Sequence, residues 1–165
     1  EVDYDEVGLR GLNSFAAQVA ENDGGRVDKA MRLSGFCLLI KRELMARIGG
    51  LDEKFEMGNY EDNDYCLRGQ LAGYDSLVAR GCFVHHDDES IITNEQIARL
   101  EQLRGQWEIF KTKWGIPASA ALGEPMDMAT LLSGGFQPHR HFQPLPMRQR
   151  RERPLPFPKA KEARV

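Results

Sequence analysis

The chain has 165 residues, of which 41% are hydrophobic and 28% are charged, and its formal net charge at pH 7 is −3. A chain of this length can bury one modest hydrophobic core, so we expect one principal domain. The acidic balance excludes a general electrostatic attraction to nucleic acid. The longest uninterrupted apolar run is residues 36–40. It is far shorter than the roughly 20 residues that span a bilayer, so no transmembrane helix is predicted.

The amino-terminal residues and the cysteines indicate where the chain works. The first residues are acidic and show neither the cationic region nor the apolar run of a secretory signal. Cys37, Cys66 and Cys82 are an odd number of widely spaced cysteines, each inside an apolar or helical pattern. This pattern favours small buried hydrophobic residues over zinc ligands. Together these features predict a reduced chain with a cytoplasmic location.

Hydrophobic spacing predicts two helices and a strand before residue 50. Apolar residues at steps of three and four indicate a helix over residues 6–21, which a pair of glycines ends. Residues 33–40 form an apolar run of the length expected of a buried strand. Residues 41–48 have the composition of a short helix, and Gly49 follows where a left-handed residue ends a helix.

The following residues predict two more helices and two short strands. Acidic residues crowd the first turn of a helix predicted over residues 61–72, and Gly73 supplies its stop. Residues 76–79 and 82–85 are typical of short strands. Residues 94–114 place large apolar side chains every three or four positions, so one face of this helix should lie on the sheet.

The carboxyl-terminal composition differs from the rest of the chain. Beyond about residue 134, Pro, Arg, Gln and His replace any apolar periodicity, which is typical of a disordered segment. The sequence thus predicts an α/β domain over residues 1–116 and a low-complexity Pro/Arg-rich tail over residues 117–165. The basic tail would allow a peripheral contact with a membrane surface or an acidic partner. Its prolines and scarce aromatic residues argue against base stacking, so no nucleic-acid partner is expected.

Four short motifs follow one another between residues 33 and 86. They are a Gly-containing apolar segment, a Gly-Gly-x-Asp-Glu turn, a Glu-Asp-x-Asp helix start and a late pair of histidines, at residues 33–40, 49–53, 61–64 and 85–86. In this order and at these spacings, the motifs resemble the carboxyl-terminal, acceptor-side half of family 2 glycosyltransferases. The resemblance covers about 60 residues and is specific as a set rather than through any single motif.

The resemblance implies both a fold and a reaction. The fold would be part of a GT-A-like nucleotide-diphospho-sugar transferase, with a mixed sheet, packed helices and the nucleotide-binding half missing. The reaction would be hexosyltransferase-like, with a sugar passing from a nucleotide-sugar donor to a hydroxyl of a glycan or other acceptor by an inverting, metal-assisted mechanism. A chain without the nucleotide-binding half would be a fragment. The alternative is a non-catalytic module, derived from such an enzyme, that binds an acceptor or a partner.

Two acids at the start of the predicted helix would carry the chemistry. An inverting sugar transfer needs one carboxylate that takes the proton of the attacking hydroxyl. By the resemblance, Asp62 aligns with the general base of the family, and Glu61 aligns with a residue that helps to hold the acceptor hydroxyl. Taken without the resemblance, carboxylates at a helix start are explained by the helix dipole and its free N–H groups.

Four further residues are predicted to bind or support the acceptor. Gly50 and Asp52 align with the turn beside the acceptor site, although a capping role explains Asp52 equally well. Asp64 and Arg68 stand four positions apart, so they can pair on one helix surface and support the same site.

The two histidines are the predicted ligands of a divalent metal. The leaving group is a nucleoside diphosphate, so an ion or an imidazole near its phosphate oxygens would stabilise its departure. In similar proteins a histidine about two dozen residues after the base binds Mn²⁺ or Mg²⁺ or contacts the diphosphate. His86 stands at that spacing and is preferred. His85 is the alternative, because strand alternation points only one of the two side chains inward. Without the resemblance, two adjacent histidines are best interpreted as ordinary surface residues.

Overall fold

The computed structural model describes residues 4–6, 8–55, 60–86 and 95–145. Within these ranges the chain is a mixed α/β structure in which helices accompany a small antiparallel sheet. The helices are α1 (Leu12–Asp23), α2 (Arg42–Ile48), α3 (Glu61–Leu71), α4 (Glu95–Trp114), α5 (Met128–Leu132) and α6 (Pro138–His141), and the strands are β1 (Val27–Ala30) and β2 (Ser76–Ala79).

Four helix predictions are confirmed. Helices α2, α3 and α4 lie within one or two residues of their predicted bounds. Helix α1 begins later than predicted, because Asp5 organises a turn before it. The Asp5 carboxylate accepts a hydrogen bond from the Gly8 N–H and pairs with Arg10 at 3.0 Å. A side chain that bonds its own neighbouring backbone competes with helix formation.

The sheet contains β1 and β2, paired from Val27 opposite Ala79 to Ala30 opposite Ser76. Strand β2 has the predicted bounds. Strand β1 was not predicted, because its four residues include two charged ones and give a weak alternation. The predicted strand at 82–85 is wrong, since residues 82–86 have no regular secondary structure.

The prediction of a buried strand at residues 33–40 is also wrong. The segment contains a short 3₁₀ turn, Gly35–Cys37, and then runs extended. Its outer side chains face solvent, and Leu39 is 99% exposed. Hydrophobicity favours burial, but a strand also needs a neighbour for its ladder, and no described strand pairs with this segment.

Helix α3 lies between two hydrophobic clusters. The first contains Phe55, Leu67 and the aromatic face of α4, formed by Trp107, Phe110 and Trp114. These aromatic residues are therefore core residues, as the spacing of α4 indicates. The second cluster joins α3 to α2 through Ile48, Tyr65 and Ala72. The start of α3, which carries the acids of interest, is therefore held on both sides.

The cysteines differ partly from their prediction as buried residues. Cys66 is buried, and burial raises the pKa of its thiol. Cys37 and Cys82 are exposed, so the prediction is wrong for these two. Cys37 belongs to the 3₁₀ turn, Gly35–Cys37, in which no residue is buried.

The structure describes residues 118–145, which include α5 and α6, within the stretch for which the sequence predicts a low-complexity tail. Helix α6 buries His141, whose ring stacks on Trp114 with centroids 5.6 Å apart. Gln143 then forms a parallel bridge with Gly49. Each of these contacts joins one pair of residues, so no repeating pattern in the sequence predicts them. Residues 146–165, the rest of the predicted tail, lie outside the described residues.

Replacing Gly49 by Ala should destabilise this contact. Gly49 has φ 80° and ψ −154°, a region open almost only to glycine, and a Cβ there would lie 1.6 Å from the carbonyl oxygen of Gln143. The backbone conformation alone should cost about 1 to 3 kcal/mol, and the clash should add to it. Gly73→Ala is the matched control, because φ is +88° but no atom lies within 4 Å of a Cβ. If urea unfolding shows that Gly49→Ala and Gly73→Ala lose equal free energies of unfolding, the close packing of Gly49 against Gln143 is contradicted.

Acid should weaken the packing of His141. Burial, together with the positive charge of Arg140, lowers the pKa of His141 below its ordinary value of 6.5, and Nδ1 accepts the Gln137 N–H at 3.0 Å. The neutral ring is favoured in the folded state, so its contribution is complete above pH 6.5 and declines as the pH falls below it. His141→Phe should remove this part of the pH dependence of unfolding, whereas His139→Phe at an exposed position should leave it. If the His141→Phe variant keeps the same pH dependence of unfolding, another titrating group causes that dependence.

Candidate functional site

The acids at the start of α3 are placed by an aromatic residue in an uncommon conformation. Tyr60, which precedes the helix, has φ 71°, in the left-handed region that non-glycine residues rarely adopt. Its ring packs on Trp107 and Phe110, with centroids 5.5 and 5.0 Å apart. This packing offsets the cost of the conformation and fixes the direction in which α3 begins.

Asp62 is held by backbone N–H groups. Its Oδ2 accepts the N–H of Gly35 at 3.0 Å, and its Oδ1 accepts the N–H of Asn63 at 2.6 Å. No cation among the described residues forms an ion pair with it, and the side chain is half-buried. The result is a half-buried carboxylate at the start of α3 whose two oxygens are both oriented by backbone N–H groups.

Gly35, at the start of the 3₁₀ turn, lies against both acids. A Cβ at this position would be 3.4 Å from the Asp62 Cβ and 3.9 Å from Glu61 Oε1. A larger side chain would therefore occupy the space beside the two carboxylates. A Cβ alone would make ordinary van der Waals contacts at these distances, so the packing here does not itself require glycine.

The two histidines contact different parts of the structure. His86 is exposed, and its ring lies 5.0 Å from the ring of Phe36, which directly follows the glycine that binds Asp62. His85 instead shares a 2.6 Å hydrogen bond between Nδ1 and the Tyr4 hydroxyl. Of the two histidines, His86 is thus the one that contacts the segment carrying Gly35.

The metal prediction has no complete set of ligands in the described structure. No group of three or more His, Cys, Asp or Glu residues that could hold an ion is formed within the described ranges. His86 lies near one aromatic ring rather than among carboxylates. The described residues by themselves therefore form no complete ligand set, and metal ligation by His86 or His85 stays a prediction.

Asp64 and Arg68 form a fully buried ion pair at 2.7 Å, as their spacing predicts. Lys113 of α4 joins it, with Nζ 2.6 Å from Asp64 Oδ1 and 2.6 Å from Asp52 Oδ2. The network holds two carboxylates and two cations, so its buried charges are compensated. Trp114 adds an N–H bond to Asp64 at 3.1 Å.

The same network ties the Gly-Gly turn to α3. Arg68 donates to the carbonyl oxygens of Ile48 and Gly50, at 3.0 and 2.8 Å. Burial would raise the pKa of Asp52, but hydrogen bonds from Lys113 and from the Lys54 N–H outweigh burial and lower it. The acceptor-binding residues predicted from the resemblance therefore make bonds within the protein, and their contact with an acceptor stays a prediction.

A separate cavity of about 290 Å³ lies beside Trp107 and α5. Two carboxylates line it, but both are used locally. Glu124 accepts the Ala121 N–H, and Asp127 caps α5 through Thr130. This cavity contains neither of the acids at the start of α3, so we assign no catalytic role to it.

Sequence reasoning missed three contributors to this region. Lys113 neutralises acids that are far from it in sequence, Tyr60 orients the helix start, and Phe36 joins the Gly35 segment to the late histidine. Only the apolar spacing of α4 gave a signal for any of them, since it predicts that this helix packs on the rest of the domain.

Comparisons with known proteins add a limited finding. No protein-family model and no solved structure matches the chain. The chain is similar to a protein of Sinorhizobium fredii described as uncharacterized protein y4gI, with 29% identity over 79 residues. The aligned segment covers 47% of this chain and 9% of that relative, so the chain spans under a tenth of the relative's length. Among the described residues, no helix has the length and apolar character needed to cross a membrane.

Proposed function

We propose that this chain is the acceptor-side part of an inverting, GT-A-like glycosyltransferase in which Asp62 is the general base. The observation that supports the proposal best is the geometry of the Asp62 carboxylate. It is fixed at the tip of α3 by the Gly35 N–H at 3.0 Å and is not paired with any described cation. Glu61 lies beside it, and His86 contacts Phe36, the residue that follows Gly35.

The proposed reaction is a single displacement at the anomeric carbon of a nucleotide sugar. An oxygen of the acceptor hydroxyl forms the new bond to that carbon, while the bond from the carbon to the diphosphate oxygen breaks. Asp62 takes the proton of the attacking hydroxyl as the bond forms, and Glu61 holds the same hydroxyl in place. The nucleoside diphosphate leaves with the bonding electrons.

An exposed apolar strip supports a GT-A-like sheet that continues beyond the described strands. We define the strip as Phe36 and Leu39, which are 55% and 99% exposed. Two-stranded sheets are marginal by themselves, and exposed apolar residues are suited to packing against further structure. In the proposal, that structure belongs to the nucleotide-binding half of a longer polypeptide.

Ligand titration tests the proposal. A polypeptide that contains this chain and the proposed nucleotide-binding half should bind UDP-glucose or another nucleotide sugar in a Mn²⁺-dependent manner, measured by calorimetry. The 165-residue chain alone should show no such binding. Binding by the short chain would contradict the proposed division of the site. A longer polypeptide that binds acceptor glycans but no nucleotide sugar would instead favour the non-catalytic binding module.

A further inference from the structure

Residues 136–145, which we call the strap, contain a single buried residue. The strap consists of α6 and its flanking residues, and His141 is 7% exposed, whereas every other residue of the strap is half-buried or exposed. The His141 ring stacks on Trp114 of α4, with 13° between the two planes, and Phe136 packs beside it with centroids 5.6 Å apart. Since buried apolar surface holds segments of a chain in place, the attachment of the strap depends heavily on this ring.

The end of the strap is hydrogen-bonded to the Gly-Gly turn. The carbonyl oxygen of Gln143 accepts the Gly50 N–H at 2.8 Å, and the Gln143 N–H donates to the carbonyl oxygen of Ile48 at 3.0 Å. On its other side the turn is held by Arg68, which donates to the carbonyl oxygens of Ile48 and Gly50. The strap is the partner that lies at the surface, so it can detach while Arg68 keeps its ion pair with Asp64.

The hydrogen bond inside the strap requires a neutral His141 ring. Nδ1 accepts the Gln137 N–H at 3.0 Å, so the proton of the neutral ring lies on Nε2. A ring that is protonated on both nitrogens has no acceptor, and its new N–H would face the Gln137 N–H. The attached strap therefore disfavours protonation through its geometry.

The surroundings of His141 favour the neutral ring as well. Burial is the main cause that lowers its pKa below the ordinary 6.5, and the positive charges of Arg140 in α6, Lys113 in α4 and Arg68 in α3 lower it further. Of the described groups that act on the ring, only Asp64 of α3 raises it. As the pH falls below 6.5, a proton therefore binds more readily to the ring of a detached strap than to the ring of an attached one.

We propose that His141 is a pH-sensitive positioning residue, which fastens the strap to the Gly-Gly turn when neutral and releases both when protonated, while the core stays folded. The core can persist because its two hydrophobic clusters centre on α3 and its contacts with α4 and α2. The release itself is independent of the proposed function. Its effect on acceptor binding rests on that function, in which Gly50 and Asp52 lie beside the acceptor.

Amide hydrogen exchange in the 165-residue chain, followed by NMR between pH 7.5 and 5, tests the release without any substrate. After correction for intrinsic rates, the opening equilibrium constants of the Gly50 and Gln143 amides should rise severalfold toward pH 5. A pKa of 6.5 in the detached strap sets a ceiling of about thirtyfold on this rise. The Ala72 N–H, which bonds the Arg68 carbonyl oxygen at 3.1 Å at the end of α3, should change less than about twofold.

Two variants assign the release to the ring of His141. His141→Phe keeps an aromatic ring against Trp114 but cannot be protonated, so the opening constants of its Gly50 and Gln143 amides should not depend on pH. His139→Phe, at an exposed position of the same helix, is the matched control and should keep the full pH dependence. An unchanged pH dependence in His141→Phe would overturn the proposal.

The unmodified chain decides the proposal even if His141→Phe folds poorly. Gly50 and Gln143 amides that keep their protection at pH 5 would show that protonation does not release the strap. An Ala72 amide that loses protection to the same extent would show that acid unfolds the chain as a whole, and this result would also overturn a local release.

The effect on the proposed site is tested separately in the polypeptide that transfers sugar. Between pH 7.5 and 5.5 the KM for the acceptor should rise severalfold in His139→Phe and clearly less in His141→Phe, while the KM for the nucleotide sugar should follow the same profile in both. Identical acceptor profiles would contradict the positioning role. If no polypeptide containing the chain transfers sugar, the proposed function fails together with this role, while amide exchange still decides the release of the strap.

Discussion

Replacing Asp62 by Asn is expected to lower the rate of sugar transfer by about 10² to 10⁴-fold. An amide has nearly the same size, and its oxygen can still accept the Gly35 N–H that now binds Oδ2 at 3.0 Å, while the Asn63 N–H loses its bond to Oδ1. This is one local hydrogen bond, so the fold should persist. The amide cannot take the proton of an attacking hydroxyl at neutral pH. The test is steady-state kinetics of transfer by the longer polypeptide, with donor binding measured in parallel and expected to change less than about twofold.

The matched control for this variant is Asp75→Asn. Asp75 is an exposed acid that pairs with Lys29 at 2.8 Å, away from the start of α3. Its replacement removes the same charge and should leave transfer unchanged. If the Asp62→Asn variant transfers sugar at the unmodified rate, Asp62 is not the general base. A parallel loss of donor binding would instead indicate a structural effect on the site.

Replacing Arg68 by Met is expected to destabilise the chain by about 3 kcal/mol or more. Arg68 and Asp64 are both 0% exposed, so the loss of the cation leaves a buried carboxylate with Lys113 as its remaining counter-charge. The carbonyl oxygens of Ile48 and Gly50 also lose their donor. Since small domains are stable by only about 5 to 15 kcal/mol, the change should be plain in urea unfolding.

Two further variants show whether burial causes this loss. Arg80→Met removes an equally close pair with Asp28, at 2.6 Å, but Arg80 is 51% exposed, and the expected loss is below about 1 kcal/mol. The double variant Asp64→Leu with Arg68→Met should recover part of the loss, because no unpaired carboxylate stays buried. If Arg68→Met costs no more than Arg80→Met, the network does not hold the start of α3 in place.

Local signals in the sequence predict most of the helices of this chain. Helix α3 begins with acids and ends near Gly73, whose φ is +88°, and α4 carries its apolar face at regular steps. Residues 33–40 show the limit of this reasoning. Their hydrophobicity predicts burial, but burial as a strand depends on a partner that the segment itself does not specify. The described structure accordingly leaves Leu39 exposed.

The candidate site divides in the same way. The positions of Glu61 and Asp62 at the helix start follow from local patterns, and so does the pairing of Asp64 with Arg68. The contribution of Lys113 does not, because it depends on how α4 crosses α3. The contact of Gln143 with Gly49 is equally non-local, and it explains why composition alone mistook the ordered residues before 145 for a disordered tail.

The configuration of the newly formed glycosidic bond tests the central claim most directly. It can be read by ¹H NMR from the anomeric coupling constant of the transferred sugar in the glycoside product. A single displacement assisted by the Asp62 carboxylate predicts an anomeric configuration opposite to that of the donor sugar. A product that retains the donor configuration would contradict the account, since the reaction would then pass through more than one displacement and would not need Asp62 as its base.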